Sequence, residues 1–291
     1  MTEFLQILFG GITAGSSYAL MALALVIVYK TAEVVNFAQG ELALASSYFA
    51  FYLLEYHGCS FPTAFVLSFV FAFFLGAFLD FAILRRAKKP NLLGLTIITI
   101  GLEFILLGLI SWKFGADQQI FPFPIGPYDS VQVFGIFLSV LELTTVLIAV
   151  GIMAVLYLFY RYSKLGLAMK ATQQNPVAAR LMGIRIDRIK MLTWGISSLV
   201  GSTAGLLTAP VLMEPFMMWN PLLKGFSAAV FGGMTSLPGA VLGAYVLGVV
   251  ESLFGGYISI EFKSVVPFAI IVLVLVFKPS GLFSRHYVKK V

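Results

Sequence analysis

Long apolar runs alternate with short polar stretches along the chain, and the runs have the length of membrane crossings. A helix needs about 20 mostly apolar residues to span the hydrocarbon core of a bilayer. On that measure the pattern predicts spans at about Phe4–Tyr29, Gly40–Leu54, Phe61–Leu84, Leu92–Trp112, Gly135–Tyr160, Met191–Leu212, Leu222–Met234, Gly239–Tyr257 and Ser264–Phe277. The expected fold is all-α, a polytopic transmembrane bundle of about eight or nine spans, with residues 1–291 forming one transmembrane domain. The run from Gly10 to Tyr29 has no cleavage-site pattern and is expected to stay as a span.

Two of the predicted spans are short. Gly40–Leu54 follows the polar stretch Asn36-Phe37-Ala38-Gln39, and Leu222–Met234 ends in Gly232-Gly233 shortly before Pro238-Gly239. Each fits an interrupted helix or a short, tilted span with a tight turn. An interrupted helix at membrane depth survives only where protein or a wet cavity satisfies its backbone. Asn36, Gln39, Gly40, Glu41, Gly232, Gly233 and Gly239 are therefore the candidate translocation-path residues, while Asn36 serves equally as a helix cap.

Arg161 to Lys190 is the longest polar interruption, with seven Lys/Arg and one acid, Asp187. Asn175 suits an N-cap, Pro176 the first helical position and Gly183 a left-handed C-cap, with Ile184 folding back on Ala179. The short helix between them carries Val177, Ala178, Ala179, Arg180, Leu181 and Met182. By its residues alone it fits a docking helix for another protein and equally a membrane-surface helix whose cations meet anionic headgroups.

Composition narrows the class. Hydrophobic residues make up 60% of the chain and charged ones 11%, which excludes a water-soluble globule. The net charge of +6 does not indicate nucleic acid, because the cations gather at span ends. Sixteen of nineteen Lys/Arg fall on one side if the N-terminus is outside and the C-terminus cytoplasmic: Lys30, Arg85, Arg86, Lys88, Lys89, the seven of the central loop, Lys278, Arg285, Lys289 and Lys290. Lys113, Lys224 and Lys263 are then left outside. The outer loop from Lys113 to Val133 is rich in Pro and aromatics and offers a landing surface for a soluble partner.

Small residues four apart predict close helix packing: Gly11, Gly15 and Ala19; Gly225, Ala229 and Gly233; Ala240, Ala244 and Gly248. Glu103 and Glu251 are candidate intramembrane polar groups with no Lys, Arg or His expected inside the membrane to pair with them. Asp80 is expected to pair with Arg85 and Arg86, and Glu142 to begin the deeper part of the fifth span. The single Cys59 and the distant His57 and His286 offer no metal site. Nucleotide-binding, metalloprotease and hydrolase motifs are absent, so the chain is not expected to be an enzyme, and energy for active transport has to come from a partner.

Three stretches carry a family resemblance: VNFAQGELALASSYFAFYL at Val35–Leu53, GLAMKATQQNPVAARLMGIRIDRIK at Gly166–Lys190, and FGGMTSLPGAVLGAYVLGVVESL at Phe231–Leu253. The chain resembles the permease subunits of branched-chain amino acid ABC importers, and among these the shorter, first permease of the pair. That resemblance implies a second homologous permease, two ABC ATPases holding ATP and Mg, a periplasmic substrate-binding protein, and a bacterial inner membrane. It makes 161–190 a cytoplasmic coupling loop and 175–184 its coupling helix. Val177-Ala178-Ala179 with Gly183 matches the importer pattern Glu-Ala-Ala-x-x-x-Gly, with Val177 in place of the acid. Related permeases move urea, short amides or other small solutes, and a secondary carrier driven by an ion gradient is the reading from another class.

Overall fold

The computed structural model describes residues 2–87, 91–125, 129–133, 136–278 and 280–283. Lys88, Lys89, Gly135, Arg285, His286, Lys289 and Lys290, which figure in the expectations above, lie outside the described residues.

Eleven α-helices are present among them: α1 Thr2–Ala32, α2 Gln39–Glu55, α3 Phe61–Ala82, α4 Leu92–Phe114, α5 Val140–Tyr162, α6 Lys164–Gln174, α7 Pro176–Leu181, α8 Ile186–Thr208, α9 Trp219–Gly232, α10 Leu237–Tyr257 and α11 Val266–Phe277. Five segments are long and apolar enough to cross a membrane: α1, α3 with the 3-10 turn that follows it, α4, α5 and α10. The protein is a multi-pass helical bundle, as its hydropathy pattern predicts.

The start of the fifth span is corrected. Strands β1 Ser130–Val133 and β2 Ile136–Ser139 pair antiparallel, with Val131 opposite Leu138, and α5 begins only at Val140. Glu142 lies in the first turn of α5, where its Oε2 accepts from the Ser139 backbone N–H at 3.3 Å. It closes the N-terminal end of the helix. The sixth span starts earlier than Met191, because α8 begins at Ile186 inside the stretch assigned to the loop.

Helix α1 is the axis of the bundle. Every residue from Tyr18 to Val28 is buried, so this part of the helix presents no face to lipid. On one side α10 runs antiparallel to it, with backbones close enough that a Cβ added at Gly248 would lie 2.5 Å from Gly11 O, and one at Gly11 would lie 2.8 Å from the Val249 Cα. The predicted stripes of α1 and α10 meet each other here. On another side Gly225 of α9 lies against Met21. Gly233, the third member of that stripe, lies beyond the end of α9 in a left-handed conformation, φ +107°.

Helix α8 supplies the other half of the centre. Its Thr193, Ser197, Ser198, Ser202 and Thr203 are buried, and most of their hydroxyls bond back to carbonyls three or four residues earlier in the same helix. Such back-bonding lets polar side chains sit in an apolar interior. Gly205 lets the backbone of α2 approach: a Cβ there would lie 2.6 Å from Ala43 O and from Ser47 Oγ. Exposed Phe74, Phe78, Ile97, Phe104, Leu147 and Val155 on α3, α4 and α5 form the apolar exterior.

Candidate functional site

After Ala32 the chain leaves the helix and climbs back through residues 33–38 before α2 starts. Glu33 takes a positive φ of 56° at the turn. This non-helical stretch lies beside the middle of α8, so its backbone needs partners other than water. Thr99 of α4 provides them: its hydroxyl lies 3.3 Å from Val35 O and accepts from Phe37 N–H at 3.2 Å. Residues 33–38 thus join α1 to α2 without regular helix, and Gln39, Gly40 and Glu41 form the first turn of α2.

Three polar side chains knot together at the break. Asn36 Nδ2 donates to Gln39 Oε1 at 3.0 Å, and Ser197 Oγ of α8 lies 2.8 Å from the same oxygen and 2.7 Å from Ala24 O of α1. Gln39 Nε2 donates to Ser197 O at 3.2 Å. Asn36 and Gln39 are completely buried. Asn36 does not cap α2: the residue before that helix is Ala38, and no side chain closes the end.

Two acceptors at the break are left over. Asn36 Oδ1 and Glu41 Oε2 are buried and accept no hydrogen bond from the described residues. Leaving a buried polar oxygen unpaired costs about 1–3 kcal/mol. Gly40 packs on Leu222 and on Met218 O at the start of α9. Glu103 of α4 is half-buried.

The second predicted break is far from the first. Gly232 is ten residues beyond Leu222 in α9, about 15 Å at the rise of an α-helix. A Cβ added at Gly239 would lie 2.5 Å from Gly232 O, and the two backbones are in direct contact. The chain after α11 then seals the joint, with Leu282 N–H donating to Phe231 O at 2.9 Å and Phe283 N–H to Gly232 O at 3.1 Å. Gly232, Gly233 and Gly239 form a packed backbone junction, and the structure does not bring them together with Asn36, Gln39, Gly40 and Glu41.

Glu251 has a partner that its sequence context did not suggest. Lys224 Nζ lies 2.5 Å from Glu251 Oε1, and Tyr18 OH donates to Glu251 Oε2 at 3.1 Å. Lys224 points inward from the second turn of α9, so Glu251 has the cationic partner that was not expected for it. Asp80 pairs with Arg85, whose Nη2 lies at 3.4 Å, and not with Arg86, which lies over the Phe81 ring.

The polar loop folds into α6, α7 and the first turn of α8. Asn175 Oδ1 accepts from Ala178 N–H at 3.0 Å, Pro176 opens α7, and Gly183 closes it at φ +84°. Ile184 N–H donates back to Ala179 O at 3.0 Å, the six-to-one bond of a Schellman closure. Both ends of this two-turn helix are fixed by its own residues. Ala179 faces inward, while Val177, Leu181 and Met182 are exposed, the last two at 83%. Unlike the outward apolar residues of α3 to α5, these stand in a loop that carries seven cations.

Comparison with known proteins decides between the classes of membrane protein that could carry these features. The profile of a family described as "Branched-chain amino acid transport system / permease component" matches residues 7–275. The chain belongs to this family of transport permeases. It is 32% identical to the high-affinity branched-chain amino acid transport system permease protein LivH of Escherichia coli K12, over 99% of this chain and 98% of that protein. Identity to the corresponding permease BraD of Pseudomonas aeruginosa is 30%, again over 99% and 98%. A probable branched-chain amino acid transport permease, LivM of Methanocaldococcus jannaschii, is 25% identical over 76% of this chain and 68% of its own length. No solved structure matches. For a transport permease, the break at 33–38 and the exposed α7 are the two features that need a role.

The sequence missed Thr99, Ser197, Tyr18 and Lys224. The first three are hydroxyl residues within apolar runs, indistinguishable there from residues that bond only to their own helix. Lys224 had a visible signal, an isolated cation inside an apolar segment, which also fits a segment end.

Proposed function

We propose that this chain is the permease subunit of an ATP-driven importer for branched-chain or other hydrophobic amino acids. Full-length similarity to LivH and BraD supports the substrate class. The observation that carries the ATP-driven reading is α7, a helix closed at both ends that exposes Val177, Leu181 and Met182 from a soluble loop. A helix capped by its own residues keeps its shape under load. It therefore suits the transmission of a nucleotide-driven movement from an ATPase groove to α5 and α8 as a rigid-body push.

In this reading residues 1–291 are one transmembrane domain, 161–190 is its coupling loop, and 175–184 meets the ATPase. The partners are a second, homologous permease, two ABC ATPases that bind ATP and Mg, and a periplasmic binding protein that delivers substrate. The membrane is the bacterial inner membrane, with the N-terminus outside and the C-terminus cytoplasmic. Asn36, Gln39, Gly40 and Glu41 line the translocation path, where the free oxygens of Asn36 and Glu41 suit the ammonium group of an amino acid. Gly232, Gly233 and Gly239 form the tight joint on which α9 and α10 turn, and Glu103 and Glu251 act from the flanks.

The test is gentle solubilisation through a tag on this chain, followed by mass spectrometry of its companions. A second permease and ABC ATPases are expected, with the ATPases lost when Arg180 and Leu181 are both changed to Glu. Recovery of this chain alone, with uptake collapsing under ionophores and not on ATP depletion, would overturn the reading in favour of an ion-gradient carrier.

A further inference from the structure

At the basic end of the bundle, where the end of α3 meets the start of α8, the surface opens into a cavity of about 550 Å³. Its walls carry Arg85, Arg180, Arg185 and Arg188 against a single acid, Asp187. Arg85 is held in place, donating to Asp187 O at 2.7 Å and lying 3.4 Å from Asp80 Oδ2. Among the described residues, no carboxylate stands within ion-pair distance of Arg180, Arg185 or Arg188. Like charges gathered around one hollow repel one another, and an anion in the hollow removes that cost. The flat, forked guanidinium matches the oxygens of a phosphate two at a time.

The flank of the cavity is apolar. Arg85 lies over the Phe81 ring, 5.4 Å from its centroid, and Phe81 and Phe78 are exposed on the outward side of α3. A second, smaller hollow of about 160 Å³ shares Arg85 and Asp187 and reaches Leu95 of α4, whose neighbours Leu92 and Leu93 are exposed. A cationic hollow beside an apolar, outward-facing surface fits a phosphate at the level of the lipid headgroups, with acyl chains alongside.

We propose that this cavity is a binding site for a phosphate ester, carried by an anionic phospholipid headgroup or by a soluble phosphate ester, with the apolar flank favouring the lipid. Gly183 and Ile184, which close α7, also line the cavity. An occupant therefore joins the end of α3 to the turn between α7 and α8.

The experiment is native mass spectrometry of the full-length chain in detergent with phosphatidylglycerol, phosphatidylcholine or glycerol 3-phosphate. The expected result is at least tenfold greater retention of phosphatidylglycerol than of phosphatidylcholine. The pair Arg185→Gln and Arg188→Gln should lower that retention at least tenfold. Lys164→Gln with Lys170→Gln, which removes the same charge from α6, should leave it unchanged. Glycerol 3-phosphate binding as tightly as the lipid, and displacing it, would assign the site to a soluble ester. This competition uses the unmodified chain, so it reads the site even where the arginine variant fails to fold. Equal retention of the two lipids, equal loss from both charge-removing pairs, or binding of neither phosphate probe would overturn the proposal.

Discussion

Lys224 Nζ lies 2.5 Å from Glu251 Oε1 inside the bundle, joining α9 to α10, while the Tyr18 hydroxyl on α1 binds both partners. Three helices meet at one ion pair with almost no access to solvent. Its attraction is offset by the cost of desolvating both charges, so the pair as a whole contributes little, but each half depends on the other. Lys224→Met is expected to destabilise the protein by about 3–5 kcal/mol, because it strands a buried carboxyl. Lys224→Met combined with Glu251→Leu should recover most of the loss. Thermal unfolding in detergent of both single variants and the double variant checks this; a double variant as unstable as the sum of the singles would show that the two residues are not coupled.

At the break, Ser197→Ala removes the hydroxyl that ties Gln39 to α8 while leaving the Asn36–Gln39 bond. One buried hydrogen bond is worth about 1 kcal/mol, so the variant should fold and melt slightly lower. Gln39→Leu removes the acceptor itself and adds an unpaired Asn36 amide. Leucine uptake in cells holding the whole transporter should fall modestly in the first and severely in the second, at equal membrane abundance.

Gly183→Val should weaken coupling more than it weakens the bundle. A β-branched residue does not adopt φ +84° without strain, about 1–2 kcal/mol, and the strain falls on the Ile184 to Ala179 closure. On the coupling role proposed for α7, the expected outcome is a slightly lowered melting temperature, normal ATP hydrolysis by the assembled transporter, and a several-fold drop in uptake per ATP. Asn175→Ala, which removes the opposite cap, should act in the same direction.

The features that could be read in the sequence were the local ones. Asn175, Pro176, Gly183 and Ile184 lie within ten residues of one another, and capping is a contest among neighbours, so the helix they bound was visible before any fold was known. The break at Asn36 was marked by polarity at the edge of an apolar run. The second break looked the same in sequence, yet Gly232 and Gly239 proved to be contact points, because a glycine records close approach without recording to what. Lys224 and Glu251 lie 27 residues apart, and Tyr18 lies 233 residues from Glu251. Nothing in the local pattern of α9 or α10 specifies that meeting. The paired strands β1 and β2 are not visible in the sequence because their apolar residues merge with those of α5.

Helix α8 offers the sharpest packing test. A larger side chain at Gly205 would drive into Ala43 O and Ser47 Oγ of α2. Gly205→Leu is expected to cost about 3 kcal/mol or more from overpacking, since the clash is with backbone. Limited proteolysis of membranes should then cut the α1–α2 region faster than in the wild type, whereas Gly151→Leu on α5, where a Cβ meets nothing, should leave the wild-type pattern unchanged.

The enclosure of α1 has a consequence for how the protein is made. Ribosomes deliver this helix before every element that covers it, and the last of those, α10, does not begin until Leu237. Until then the segment from Tyr18 to Val28 must sit against lipid or insertion machinery on sides that end up against protein. The only hydroxyl in that segment, Tyr18, is the one that finally meets Lys224 and Glu251. A long apolar face can wait in a membrane at little cost, and such waiting explains why the helix at the centre of the finished bundle is built almost entirely of Ala, Leu, Val, Ile and Met there.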